Sequence, residues 1–174
     1  HLHHLYLTYH LMDMIANICY NMLKYKGMER KMELVDIVDE NNNLTGQVED
    51  RWVAYEKGLW RRVVSCWIMN EKGEILLQKR TENKIRNPNK WAKTGGQVDS
   101  GETPEQAICR EVKEELGIEI PEEQIKVLDI YKSNNKNKRF GYNFIFVVDY
   151  KIDDYILQKE EVAEVKYVTI EDME

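Results

Sequence analysis

The stretch TPEQAICREVKEELG, Thr103 to Gly117, constrains the fold more than any other part of the chain. Thr103 is a good N-cap, Pro104 suits the first helical position, and Gly117 stands at the usual C′ place. Both ends of a helix over 104–116 can therefore be read from the residues. At 100° per residue, Ile108, Val112 and Leu116 form one apolar strip with Cys109 beside it. Glu111, Glu114 and Glu115 form an adjacent acidic arc of about 100°. The strip has to pack on a sheet. The arc is harder to account for, because it sits toward the negative pole of the helix. Glu111 and Glu115 are also like charges at i,i+4, which costs roughly 0.2–0.5 kcal/mol. Most Glu-rich helix faces are simply solvated; these acids, however, occur with a glycine pair, an upstream acid and an arginine.

The flanking segments read mainly as strands. ELVDIVD (33–39) is one, followed by the turn signal ENNN (40–43). RVVSCWIMN (62–70) and EILLQKR (74–80) are β-rich and joined around EKG, which predicts a hairpin. A polar loop, TENKIRNPNK (81–90), precedes short strands around the glycine pair in WAKTGGQV (91–98). QIKVLDIYKS (124–133), RFGYNFIFVVDY (139–150) and VAEVKYV (162–168) predict three more strands. The expected class is α/β in the broad, α+β sense: a mixed β-sheet sandwiched between helices. The 174 residues are 43% apolar and 32% charged, enough for one domain that folds without disulfide or structural metal.

Residues 1–31 differ, being rich in Tyr, His, Met and Leu and poor in strand signals. Asp13, Asn17 and Asn21 would form one polar stripe on a helix. They also argue against a membrane span, and no basic start or cleavage site marks a secretory signal. The segment is expected to be a non-domain extension or upstream sequence read through in frame, since Lys26 to Lys31 can be encoded almost wholly by purines. A genuine amphipathic extension or dimer arm is the alternative. The domain proper is expected over 32–174. Thr169 with Asp172 fits the N-cap and first turn of a final helix that the chain ends before completing.

All four histidines lie in the first ten residues, so a His-based triad or zinc site is excluded from the main domain. Three scattered cysteines, Cys19, Cys66 and Cys109, point to reduced thiols in a cytoplasmic protein. Net charge is −6 without a long basic run, which gives no sign of a nucleic-acid groove. Chemistry in the domain must rest on carboxylates and basic side chains. A divalent cation would relieve the crowding of the acidic arc, and hard oxygen ligands without His suit Mg²⁺ or Mn²⁺.

Gly96, Glu102, Arg110-Glu111-Val112, Glu114-Glu115 and Gly117-Ile118 match the Nudix box at each of its nine defined positions. The chain thus resembles the Nudix hydrolases, over the box closely and over 33–172 in layout. The resemblance implies a Nudix fold and hydrolysis of a diphosphate linkage in a nucleoside diphosphate derivative or other organic diphosphate. It implies Glu111, Glu114 and Glu115 as metal ligands, with the Gly96 carbonyl as a further one. Glu102 would support the site, and Arg110 would hold the loop and helix acids through charge-assisted hydrogen bonds. The catalytic base is a helix glutamate or one of Glu160, Glu161 and Glu164, with Glu161 also taken as a metal ligand.

The run LWRRVVSCWIMNEKGEILLQKRTENKIRNPNKW is similar to Nudix proteins related to isopentenyl diphosphate isomerase. By that likeness Arg80 and Lys84 would bind the diphosphate; solvated loop charge is the equal alternative. The isomerase's catalytic cysteine and metal-binding histidines have no counterpart in WAKTGGQVD or at Trp60-Arg61-Arg62, and Cys66 is expected in the core. Isomerase and non-catalytic nucleotide-binding module are therefore the rival readings. The expected partner is a small-molecule diphosphate, not nucleic acid or membrane, with homodimerisation left open. Trp52, Trp60, Trp67, Tyr131 and Tyr142 are candidates for stacking on a base, though each also suits a core.

Overall fold

The computed structural model describes residues 32–173 apart from Ile85. The chain divides into two units, His1–Met32 and Glu33–Glu174. The expectations about residues 1–31 lie outside the described residues.

Strands β1 (Leu34–Val38) and β2 (Leu44–Asp50) form a small antiparallel sheet. Helix α1 (Arg51–Glu56) follows directly and packs on it: Ala54 joins Val35 and Ile37 in a small core beside Leu59. Neither β2 nor α1 is apparent from the sequence. LTGQVED lacks apolar alternation, so its pairing with β1 makes it a strand. Six residues are too few to show helical periodicity. The local cause of α1 is Asp50, whose carboxylate accepts from the Trp52 and Val53 backbone N–H groups as an N-cap.

The remaining strands are β3 (Arg61–Met69), β4 (Ile75–Arg80), β5 (Trp91–Ala92), β6 (Thr94–Gln97), β7 (Lys126–Ser133), β8 (Arg139–Val147) and β9 (Val162–Val168). They build a seven-stranded mixed sheet in the order β5-β4-β3-β8-β7, with β6 paired to β3 and β9 to β4. β3 and β8 run parallel from Arg61↔Arg139 to Met69↔Val147; the other pairs are antiparallel. The predicted β3–β4 hairpin forms only at its tip. Asn70 closes the turn with Glu74, but the two strands share only the Met69↔Ile75 pair. Beyond it β3 takes β6 as partner, through Val63↔Gln97 to Cys66↔Thr94, while β4 pairs with β9 and β5. A turn signal specifies the turn; the partners are set by which ladders the whole sheet can complete.

Helix α2 (Pro104–Leu116) forms as its caps predict, with a capping box between Thr103 and Gln106 and Gly117 in the left-handed region at φ 71°. Its buried residues Ile108, Val112 and Leu116 meet Val64, Cys66 and Ile68, the inward residues of β3, together with Phe144 and Phe146 of β8. The expected Thr169 cap is present, its hydroxyl accepting from the Asp172 N–H, and leads into a single 3₁₀ turn, Glu171–Met173. Among the described residues no helix is long and apolar enough to cross a membrane.

Candidate active site

Three elements meet at the acidic arc. β6 carries Gly96, the loop after it carries Glu102, and α2 carries Arg110 and the three glutamates. Arg110 binds most of them at once. Its Nε and Nη2 donate to the two Glu102 carboxylate oxygens at 2.8 and 3.0 Å, a two-pronged pair. Nη2 also donates to the Gln97 carbonyl at 3.0 Å, tying the helix to the end of β6. Nη1 donates to Glu111 at 2.9 Å and Glu114 at 3.2 Å. Burial pushes the Glu102 carboxyl up, but the Arg110 hydrogen bonds outweigh it and hold the group below its ordinary value. The Glu102 loop is anchored in turn by Asp36 of β1, which accepts from the Ser100 hydroxyl and the Gly101 N–H at 2.7 and 3.0 Å.

The Glu111 carboxylate lies directly on Gly96. A Cβ built on that glycine would overlap both carboxylate oxygens, so the cradle exists only because the residue has no side chain. Burial, then the charge of Glu115, pushes the Glu111 carboxyl up to about 8 against the opposing pull of Arg110. Glu115 is 6% exposed. Burial raises its carboxyl to about 7, while a hydrogen bond from Gln78 and the charges of Arg80 and Lys84 oppose the rise.

Gln78 and Thr94 are the functional residues the sequence reading missed. Gln78 donates from Nε2 to Glu115 Oε2 at 2.7 Å, and its Oε1 accepts from the Thr94 hydroxyl at 2.9 Å. Both are almost fully buried, so this chain of hydrogen bonds sets the Glu115 orientation. A signal was available: Gln78 shares a strand face with Leu76, and a polar residue at an inward position needs a partner.

The other expected residues separate. Glu161 forms an ion pair with Lys84, and its charge acts on Glu115. Glu160 and Glu164 are exposed; Glu164 is 3.9 Å from Lys79. Arg80 donates from Nε to the Arg86 carbonyl at 3.1 Å, which pins the loop over 81–90. Of the stacking candidates, Trp60 packs on Phe140, the Tyr142 hydroxyl accepts from Asn42, and Trp67 lies under Lys93. Tyr131 covers Gly141 and Trp52 lies beside Arg51 and Arg86. Cys66 is buried in β3 as expected, and burial raises its thiol far above the ordinary range.

Among the described residues no three His, Cys, Asp or Glu side chains are already gathered around one point as ligands. Arg110 and Gln78 hold the acids instead. The donor set still fits a hard divalent cation: three carboxylates with no nitrogen or sulfur donor, one buried and one half-buried and in mutual repulsion, the latter in a cradle that a Cβ would fill.

The profile of the NUDIX domain matches residues 59–174. An uncharacterized Nudix hydrolase of Listeria monocytogenes is 38% identical over 152 residues, 82% of this chain and 83% of the relative. Isopentenyl-diphosphate Delta-isomerase 1 of Photorhabdus laumondii is 34% identical over 122 residues, 67% of this chain and 69% of the relative. Among solved structures, DR0079 of Deinococcus radiodurans is similar with a TM-score of 0.67 at 28% identity, over 81% of this chain and 86% of that one.

Proposed function

The chain belongs to the Nudix family and is a hydrolase of diphosphate bonds, and we propose that it cleaves a nucleoside diphosphate derivative or another small organic diphosphate with Mg²⁺ or Mn²⁺. The observation that carries this is the Arg110 hub, which gathers Glu102, Glu111 and Glu114 beside a glycine cradle. Family members generally use divalent cations. Glu111, Glu114 and Glu115, with the Gly96 carbonyl, would hold the ion here, and Glu161 adds a carboxylate from the opposite loop. An ion held by these residues would supply neutralisation of phosphate charge and a more acidic bound water for in-line attack.

The protein's own groups have distinct tasks. Arg110 and Glu102 keep the helix acids in register with β6. Gln78 occupies Glu115 Oε2, leaving Oε1 to take a proton; Glu111 and Glu161 are the other candidate bases. Arg80 and Lys84 add positive charge for the diphosphate. The same reading places the protein in the cytoplasm and makes residues 32–174 the catalytic domain.

A panel of nucleoside and organic diphosphates with Mg²⁺ tests this in the wild type, Glu114→Gln and Glu115→Gln. Each variant is expected to lose about two or more orders of magnitude in kcat. Equal turnover in all three proteins overturns the metal-site assignment. Isopentenyl diphosphate belongs in the panel; its conversion to an isomer without phosphate release would favour the isomerase reading instead.

A further inference from the structure

A second group of charged side chains lies beside the acids, and the hydrolytic chemistry does not require it. The Arg86 guanidinium sits 4.4 Å from the Tyr55 ring centroid and 5.3 Å from that of Trp52. Arg51 lies 4.9 Å over the same Trp52, and the Lys136 ammonium 5.7 Å from Tyr55. Behind them is Arg61, only 4% exposed. Among the described residues its hydrogen bonds go to neutral acceptors: Gln97 Oε1 at 3.0 Å, Asn137 Oδ1 at 2.6 Å and the Lys138 carbonyl at 3.4 Å. Of these four cations, Arg51 alone has an ion pair among the described residues, to Glu33 at 2.5 Å. The arrangement has a physical cost. Burial, followed by the charges of Arg139, Arg86 and Arg51, pulls the Arg61 guanidinium down to about 10. Glu33 offsets Arg51, whereas Arg86, Lys136 and Arg61 have no carboxylate in ion-pair reach among the described residues.

The cluster connects to the acids by two short routes. Gln97 accepts from Arg61 through its side chain and from Arg110 through its carbonyl. Lys84, paired with Glu161, is two residues from Arg86, a span of about 7 Å at most. Arg86 is thus within reach of the remote half of a substrate whose diphosphate lies at the acids. The rings do not serve a base, because guanidinium groups already lie against them. A guanidinium over a ring keeps its in-plane N–H donors, which suits a planar or tetrahedral oxyanion.

We infer that Arg86 and Arg51, seated on Trp52 and Tyr55 and backed by Arg61, form a second anion subsite. It binds a phosphate or carboxylate on the part of the substrate remote from the diphosphate that is cleaved. This rests on the acids being the hydrolytic site, so the test has a binding arm that does not depend on turnover.

In that arm, inorganic pyrophosphate is titrated calorimetrically into metal-free protein. Wild type is expected to bind it, and Arg86→Gln about tenfold more weakly. No binding to wild type, or equal binding to Arg86→Gln, overturns the subsite whatever the enzyme hydrolyses. In the kinetic arm, NADPH is compared with NADH, which lacks only the 2′-phosphate, and UDP-glucuronate with UDP-glucose, which has a hydroxymethyl group in place of the carboxylate. The member of one pair that bears the additional anionic group is expected to have at least a tenfold higher kcat/KM, and the pair that shows it identifies phosphate or carboxylate. That ratio should fall toward one in Arg86→Gln and recover partly in Arg86→Lys. A ratio near one in wild type for both pairs, or one unchanged by Arg86→Gln, overturns a role in substrate selection.

Discussion

At the scale of the residue, the most demanding position is Gly96. The Glu111 carboxylate occupies the volume where any side chain on Gly96 would lie. Gly96→Ala must therefore displace Glu111, or Glu111 must push β6 off β3, to which it is paired at Val64↔Gly96. A shift of about 1 Å in a positioned carboxylate typically costs on the order of 100-fold in rate. We expect Gly96→Ala to lose about that in kcat/KM, measured on whichever diphosphate the panel identifies. Unchanged kcat/KM would mean that the Glu111 position does not matter. Arg110, by contrast, was legible in the sequence as a residue but not as a hub. An i,i+4 partner in Glu114 is visible from spacing alone. The bonds to Glu102 and the Gln97 carbonyl require the loop and β6 to fold back against the helix.

At the scale of the element, α2 is the part whose limits come from its own residues. Thr103 and Gln106 close the N-terminus and Gly117 ends the helix. Gly117 has two reasons to be glycine: its φ is 71°, and an added Cβ would lie 2.6 Å from Ile156 Cβ and 2.8 Å from the Ile156 carbonyl oxygen. That loop is also stitched to the helix, with the Ile156 and Gln158 N–H groups donating to the Leu116 and Glu115 carbonyls. Gly117→Ala is expected to destabilise the protein by more than about 1 kcal/mol, combining backbone strain with the clash. Urea unfolding measures it, and a midpoint equal to wild type would refute the argument. α1 and β2 contrast with this. β2 is too polar and α1, though capped by Asp50, too short for its pattern alone to fix its state, and docking on β1 settles it.

At the scale of the whole molecule, burial of charge makes stability depend on pH. Burial raises the Glu111 and Glu115 carboxyls of the folded protein to about 8 and about 7, against 4.5 for an ordinary glutamate. Both bind a proton more tightly when folded. Their stabilising contribution is therefore complete below about pH 4.5 and is lost as pH rises through 7 and 8. Glu33, raised mainly by burial, has the same sign. The metal-free protein should lose melting temperature between pH 5 and 8.5, and the loss should be smaller in the Glu111→Gln, Glu115→Gln double variant. Mg²⁺ should raise the melting temperature more at pH 8 than at pH 6, because it competes with protons for the same oxygens. Scanning calorimetry across that range gives the answer; a wild-type curve that is flat or rises with pH contradicts the assignment.

Local chemistry, readable along the chain, determined the ends of α2, its apolar strip and acidic arc, most strands, and the absence of histidine from the domain. Each of these depends on neighbours within a few residues, where cap, turn and period act directly. What the tertiary structure alone decided involves partners far apart in sequence. The β3 and β4 strands part beyond their turn, Gln78 and Thr94 orient Glu115, and Arg110 joins two elements to a third. So does the gathering of Arg51, Arg61 and Arg86 from three segments around two aromatic rings. The physical reason is the same throughout: a buried polar or charged group needs partners, and only the closed fold determines which distant groups are within reach.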